Sequence, residues 1–348
     1  MMKRKGIVAA LAAALLFGAS TPFAKLLLGD IGPWLLAGLL YLGSGIGLTA
    51  VRMVRRTDRG RLGPGEWPWL VGAILAGGIA GPVLLMHGLA GTTASASSLL
   101  LNAEGVFTAI LAWVVFRENA DRRVVLGMAA IVAGAVVLPW PGGSVEASWP
   151  ALAVLGACLC WAIDNNLTRR VSLADPLQIT ALKGLAAGIT NIALAFALGA
   201  TLPSPGAIGM AGAIGFLGYG LSLAAFVVAL REVGTARTGA YFSTAPFVGA
   251  VVSIGLLGEP VTPRLVVAAI LMGVGVWLHL TERHEHDHRH EALEHEHFHE
   301  HDEHHRHHPG APPEGAHVHW HRHQPMVHRH PTIPTPTTGT GTDDELRS

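Results

Sequence analysis

The sequence predicts an all-α integral membrane protein: ten transmembrane helices as two inverted five-helix repeats, followed by a disordered cytoplasmic tail. Three observations predict it. Half of the 348 residues are apolar, 14% are charged and 43 are glycine, and glycine is frequent where membrane helices approach backbone to backbone. Nearly all the apolar weight lies before Glu282. There it recurs in long runs, and about 20 mainly apolar residues cross a ~30 Å hydrocarbon core.

The runs cover residues 6–28, 33–51, 67–89, 94–116 and 124–138, then 149–168, 176–199, 206–230, 238–257 and 265–281. Each exceeds ordinary strand length and none alternates with a period of two, so helices rather than barrel strands are expected to span. The first run follows Lys3, Arg4 and Lys5 in the manner of a secretory signal. It continues past Pro22 to a spanning length, and is read as an uncleaved first helix. Cys158 and Cys160 are two apart in an apolar run and so point to different sides of a helix. That disfavours a disulfide and gives no zinc spacing.

Lysine and arginine set the orientation. With the N-terminus in the cytoplasm, the inner segments carry Lys3, Arg4, Lys5, Arg52, Arg55, Arg56, Arg59, Arg61, Arg117, Arg122, Arg123, Arg169, Arg170, Arg231 and Arg237. The outer loops carry only Arg264, and the C-terminal tail falls in the cytoplasm. The formal net charge of zero gives no electrostatic ground for a nucleic-acid partner. Expected partners are the lipid bilayer and a small-molecule or ion substrate, with a homodimer allowed for, in the cell (inner) membrane.

A repeat is visible. Phe116-Arg117-Glu118 precedes Gly127 and Gly134, as Gly258-Glu259-Pro260 precedes Ala268 and Gly275. Upstream, Ala103-Glu104-Gly105-Val106-Phe107 falls in register with Thr244-Ala245-Pro246-Phe247-Val248. An offset of five helices gives the halves opposite topology, a recurring transporter design with the substrate near the midplane. The segments are therefore 1–140, 141–282 and, for the tail, 283–348.

With these residues the chain resembles the EamA-type family of the drug/metabolite transporter superfamily over about residues 6–281. The resemblance rests on the five-plus-five spans, the glycine–glutamate corner before the last helix of each half, Phe17-Gly18…Pro22, and Cys160-Trp161-Ala162. The first corner departs from the pattern as Phe116-Arg117-Glu118, and Ala245 stands where the first half has Glu104. The resemblance implies export or uptake of small organic solutes driven by ion gradients or exchange.

A charge at the bilayer centre costs roughly 2.5–3.5 kcal/mol on insertion scales, so each needs a reason. Lys183 lies two turns inside the seventh run and is read as an anion-binding or proton-coupled group, against snorkelling to the interface. Glu104 lies mid-run on a face with Ser97 and Thr108, as a candidate proton or cation carrier, against an interhelical hydrogen bond. Asn102 lies opposite with Ser95 and Ser98. Asp164, Asn165 and Asn166 close the sixth run. Asp164 can approach Lys183 across a helical hairpin, or meet headgroup water or Arg169. His87 is expected as an interfacial contact near the cavity, Lys25 as a snorkelling residue, and Pro22, Pro82 and Pro246 as interruptions. Gly77-Gly78 and residues 209–220 read as close packing. No catalytic constellation, phosphate loop or ATP motif appears, so an enzyme is not expected and coupling must come from gradients.

The tail carries His284, His286, His288 and His290, then His295, His297, His299 and His301, and His304, His305, His307 and His308. His317, His319, His321 and His323, with His328 and His330, complete it. Neutral imidazoles interleaved with carboxylates bind Zn, Ni, Co or Cu, although no cofactor is required. Incidental affinity, and a tail that charges at low pH, are the competing readings. The leading expectation is a secondary transporter of a small solute by alternating access. The alternatives are a divalent transition-metal transporter, and a non-transporting metal sensor or scaffold.

Overall fold

In lipid an apolar chain satisfies its own backbone as a helix, and helices dominate the computed structural model of the chain. It describes all residues except 1, 56–61, 64, 117–121, 139–147, 172–174, 282–284, 291–293, 300–316, 323–325 and 332–348. The chain forms two units, Met1–Glu282 and Arg283–Ser348.

In the first unit α1 (Met2–Leu27) and α2 (Pro33–Arg55) are continuous. The third run is α3 (Trp67–Ala73), a π-helical segment Ile74–Ala80 and α4 (Gly81–Gly91). The fourth breaks between α5 (Ala94–Leu100) and α6 (Ala103–Phe116), and α7 (Arg122–Val137) follows. Then come α8 (Trp149–Thr168), α9 (Pro176–Ala197), and α10 (Pro205–Gly215) joined by a π segment, Phe216–Leu221, to α11 (Ser222–Val233). A second broken run, α12 (Thr235–Phe242) and α13 (Ala245–Leu257), leads to α14 (Pro263–Leu280).

Among the described residues nine helices are long and apolar enough to cross a membrane, where the sequence reading expects ten. The difference is α7, whose 16 residues measure about 24 Å at 1.5 Å per residue, short of a ~30 Å core. Large apolar side chains face outward around the bundle: Val8 is 66% exposed, Leu126 60%, Val251 68% and Trp277 61%. Such a belt suits lipid, not water.

Glycines set the crossings. Without a Cβ, α2 and α9 meet at Gly45 and Gly184, where a Cβ on Gly184 would lie 2.7 Å from the Gly45 nitrogen. In the same way α7 and α14 cross at Gly127 and Gly275, where an added Cβ on Gly275 would lie 2.6 Å from the Gly127 carbonyl. At Gly18 and Gly249, α1 and α13 touch. The largest apolar cluster gathers Leu27, Ile31, Leu35, Met86, Leu89 and Leu99 at the end of the bundle that carries Lys25. The opposite end carries Arg52, Arg123, Arg170 and Arg231. There Arg123 donates to the Thr281 carbonyl at 3.1 Å and the Arg170 guanidinium lies 5.5 Å from the Trp69 ring centre.

In the second unit β1 (Glu285–His290) pairs antiparallel with β4 (Met326–Pro331), and β2 (Glu294–His299) with β3 (His317–Arg322). The sequence reading expects no regular structure there.

Candidate functional site

The Asp164 carboxylate stands at the centre. Gly77, in the first π segment, has no side chain to occupy the space that Asp164 fills. Lys183 of α9 donates to both carboxylate oxygens at 2.5 Å, and the Thr168 hydroxyl, one turn on, donates at 2.8 Å. The two charged side chains are 15% and 10% exposed. Of the two sequence readings for Asp164, the contact with Lys183 is the one present. A charge-assisted hydrogen bond of this kind offsets part of the desolvation of both partners.

One residue further on α8, Asn165 donates to the Glu104 carboxylate of α6 at 2.9 Å. These four side chains share a cavity of about 350 Å³ with an aromatic wall of Phe17, Tyr41, Trp161, Tyr219 and Phe242. Two members of the wall, Tyr41 and Trp161, are held by the bulge in the third run. A π turn takes carbonyls out of the regular ladder, and the Gly77 carbonyl accepts from the Tyr41 hydroxyl at 2.8 Å and from Trp161 Nε1 at 2.9 Å. The Gly78 carbonyl accepts from Asn191 at 3.2 Å. Tyr219 lies against Tyr41 and Phe17 with ring centres 5.7 and 5.8 Å apart.

Glu104, Phe17 and Phe242 also border a second, mostly apolar cavity of about 310 Å³, shared with Asn102 and His279. Asn102 sits at the break between α5 and α6, where its amide donates to the Leu99 carbonyl at 2.8 Å. It therefore caps a broken helix at the border of this second cavity.

The remaining candidates lie elsewhere. Asn166 donates back to the Ala162 carbonyl at 2.8 Å and lines a separate groove with Trp69 and Arg170. His87 is exposed on α4 and does not border either cavity. Lys25 does more than reach for an interface: it donates to the Leu89, Ala90 and Thr92 carbonyls at 2.5, 3.1 and 2.9 Å.

Among the described residues no group of three or more His, Cys, Asp or Glu is placed to hold a metal ion. Of the tail histidines, His284, His301, His304, His305, His307, His308 and His323 lie outside the described residues, as does the Arg117-Glu118 corner. The others fall on the four strands. The register sets His286 opposite His330, His288 opposite His328, and His295, His297 and His299 opposite His321, His319 and His317.

Sequence reasoning missed the aromatic wall, because Tyr41, Trp161 and Tyr219 read as ordinary membrane apolar content. It also missed His279, whose ring lies 3.0 Å from the Val124 carbonyl at the α7–α14 crossing. A histidine inside an apolar run was the available signal.

A helical bundle with a lipid-facing belt, and with charged side chains around a cavity among its helices, defines a multi-pass membrane protein. The chain belongs to the EamA-like transporter family, whose model matches residues 4–139 and again 148–281. It is 26% identical to an "Uncharacterized transporter" of Methanothermobacter thermautotrophicus, over 80% of this chain and 87% of that one. It is 24% identical to the "Uncharacterized inner membrane transporter YedA" of Escherichia coli, over 71% of this chain and 83% of the other. A solved structure described as "Crystal structure of protein" shares the fold, with a TM-score of 0.59 at 19% identity, over 78% of this chain and 95% of that one.

Proposed function

We propose that the chain is a secondary transporter, an exporter or exchanger, moving a small solute across the cytoplasmic membrane by alternating access between inverted halves. The observation that carries this is the buried pair Lys183–Asp164 beside Glu104–Asn165 in one aromatic-walled cavity. Buried charges in a membrane are costly and mark solute or ion paths. Lys183 serves as the anionic contact and Glu104 as the cationic or proton-carrying one, with Asn165 orienting its carboxylate. Two observations support the inverted halves. The family matches the chain twice in succession, and the third and fourth runs of each half carry the same irregularities, a π segment and then a break. Basic residues gathered at the Arg52 end support cytoplasmic termini.

The tail is assigned a separate task, weak multi-site capture of Zn, Ni, Co or Cu. What supports it is the register of histidine against histidine together with the affinity of neutral imidazole for these ions. Among the described residues, those lining the cavity include no histidine or cysteine, so the ion is not assigned as cargo.

Purified protein in liposomes, assayed against amino acids, sugars, organic ions and divalent metals, tests the reading. A solute whose flux falls at least tenfold in both Glu104→Gln and Lys183→Met supports it. Flux of every solute unchanged in both variants overturns the assignment of the cavity.

A further inference from the structure

We propose that Lys25 and Glu259 form a gate clamp that holds the solute path shut at the Lys25 end of the bundle. The proposal rests on the transporter reading and names positioning residues, since neither side chain borders the cavity.

The clamp acts on the turn between α4 and α5. A helix end leaves carbonyls or N–H groups without intrahelical partners, and this turn presents one end of each kind within three residues. The Thr93 hydroxyl accepts from the Ala96 N–H at 3.3 Å, which leaves the first two N–H groups of α5. The Glu259 carboxylate, from the α13–α14 connection, takes both: Ala94 at 2.6 Å and Ser95 at 2.8 Å. The last carbonyls of α4 receive Lys25 of α1. An anion therefore meets a helix N-terminus and a cation a C-terminus, each the sign the helix dipole favours.

Both clamping groups arrive from other elements. Together they tie α1 and the α13–α14 connection to the α4–α5 turn. Those elements also shape the cavity, through Phe17 on α1 and Glu104 on α6 just beyond α5. Buried apolar side chains pack around the clamp, with Leu27 4% exposed, Ile31 2%, Met86 1% and Leu89 0%. The cavity wall continues the other way, to Thr168 and Thr180, and Asn165 there is exposed. Access to the Lys25 end requires α1 to part from the α4–α5 turn. Breaking these five hydrogen bonds is the local cost of that motion, so removing them shifts the population towards opening at that face.

The test is solute-independent. Full-length protein with Cys158→Ala, Cys160→Ala and Thr180→Cys is labelled in sealed vesicles with a membrane-impermeant thiol reagent, from each face separately. In the parent, labelling is expected to be fast from the Arg52 face and slow from the Lys25 face. Glu259→Ala and Lys25→Met are expected to raise the Lys25-face rate at least tenfold, and Glu259→Gln, which keeps one acceptor oxygen, to raise it less. Should Glu259→Ala fail to accumulate, Lys25→Met and Glu259→Gln carry the measurement. An unchanged Lys25-face rate in monodisperse variants overturns the clamp. The labelling asks nothing of flux, so a failed solute screen counts against the transporter reading alone.

Discussion

Lys183 and Asp164 pair about two turns from the Arg52 end of their hairpin, and each makes the other tolerable in a low-dielectric interior. Removing one partner of such a pair strands a buried charge and costs roughly 3–5 kcal/mol, whereas removing both is far milder. Lys183→Met is therefore expected to lower the unfolding temperature in detergent markedly, and Lys183→Met with Asp164→Asn to recover most of the loss. The pair was legible in the sequence, because a lysine and an aspartate inside apolar runs announce themselves. Glu104 was legible for the same reason, its partner Asn165 only as a nearby candidate. Lys25 and Glu259 stood out in the sequence, as a snorkelling residue and a repeated corner, but their contacts did not, because their partners are backbone groups, which no side-chain pattern reports. Asn166 failed as a cavity residue because its amide turns back onto its own helix at the Ala162 carbonyl. Gly77 was read as packing alone, yet it also makes room for the Asp164 carboxylate. Asp164→Asn and Gly77→Ala are both expected to lower flux in the liposome assay, with Gly72→Ala, opposed only by a flexible leucine end at 3.0 Å, as the mild control.

The elements obey the same logic one level up. Hydropathy marked where each helix runs because a run must match the thickness of the bilayer. It did not mark the π segments or the break at Leu101–Asn102, since those depend on which carbonyl a neighbouring helix engages; of the expected proline interruptions, Pro82 and Pro246 stand in the first turn after a π segment and after the Ser243–Thr244 break, while Pro22 lies inside the continuous α1. Apolar content placed α7 correctly: the run at 124–138 falls on the 16-residue helix Arg122–Val137, shorter than the nine candidate spans among the described residues. Glycine positions sort by what surrounds them. Gly184→Ala forces its Cβ within 2.7 Å of the α2 backbone and is expected to destabilise by about 1–3 kcal/mol, as overpacking does. Gly209→Ala, on α10 with nothing within 4 Å of its added Cβ, is expected to be neutral or slightly stabilising because alanine favours the helix. Thermal unfolding of the two variants side by side checks the contrast.

For the whole chain, the division at Glu282 was the plainest feature of the sequence, since apolar and histidine-rich segments do not mix. Deleting residues 283–348 is expected to leave the unfolding temperature of the membrane unit unchanged and to abolish Zn or Ni uptake in calorimetry; retained metal binding would move the site into the bundle. Solute flux in the truncated protein separates an accessory tail from one that controls transport. The helix crossings reach further. Where α2 meets α9 at Gly45 and Gly184, the two backbones close to direct contact, with Leu185 the nearest side chain. Interdigitated chains would resist turning as a ratchet does; a bare contact resists separation but not rotation. Such a crossing is a fulcrum: the helix ends can swing through several ångströms while the point between them hardly moves. Distance probes placed beside Gly45 and Gly184 should therefore stay fixed through the cycle that changes the distance between probes at Lys25 and Glu259.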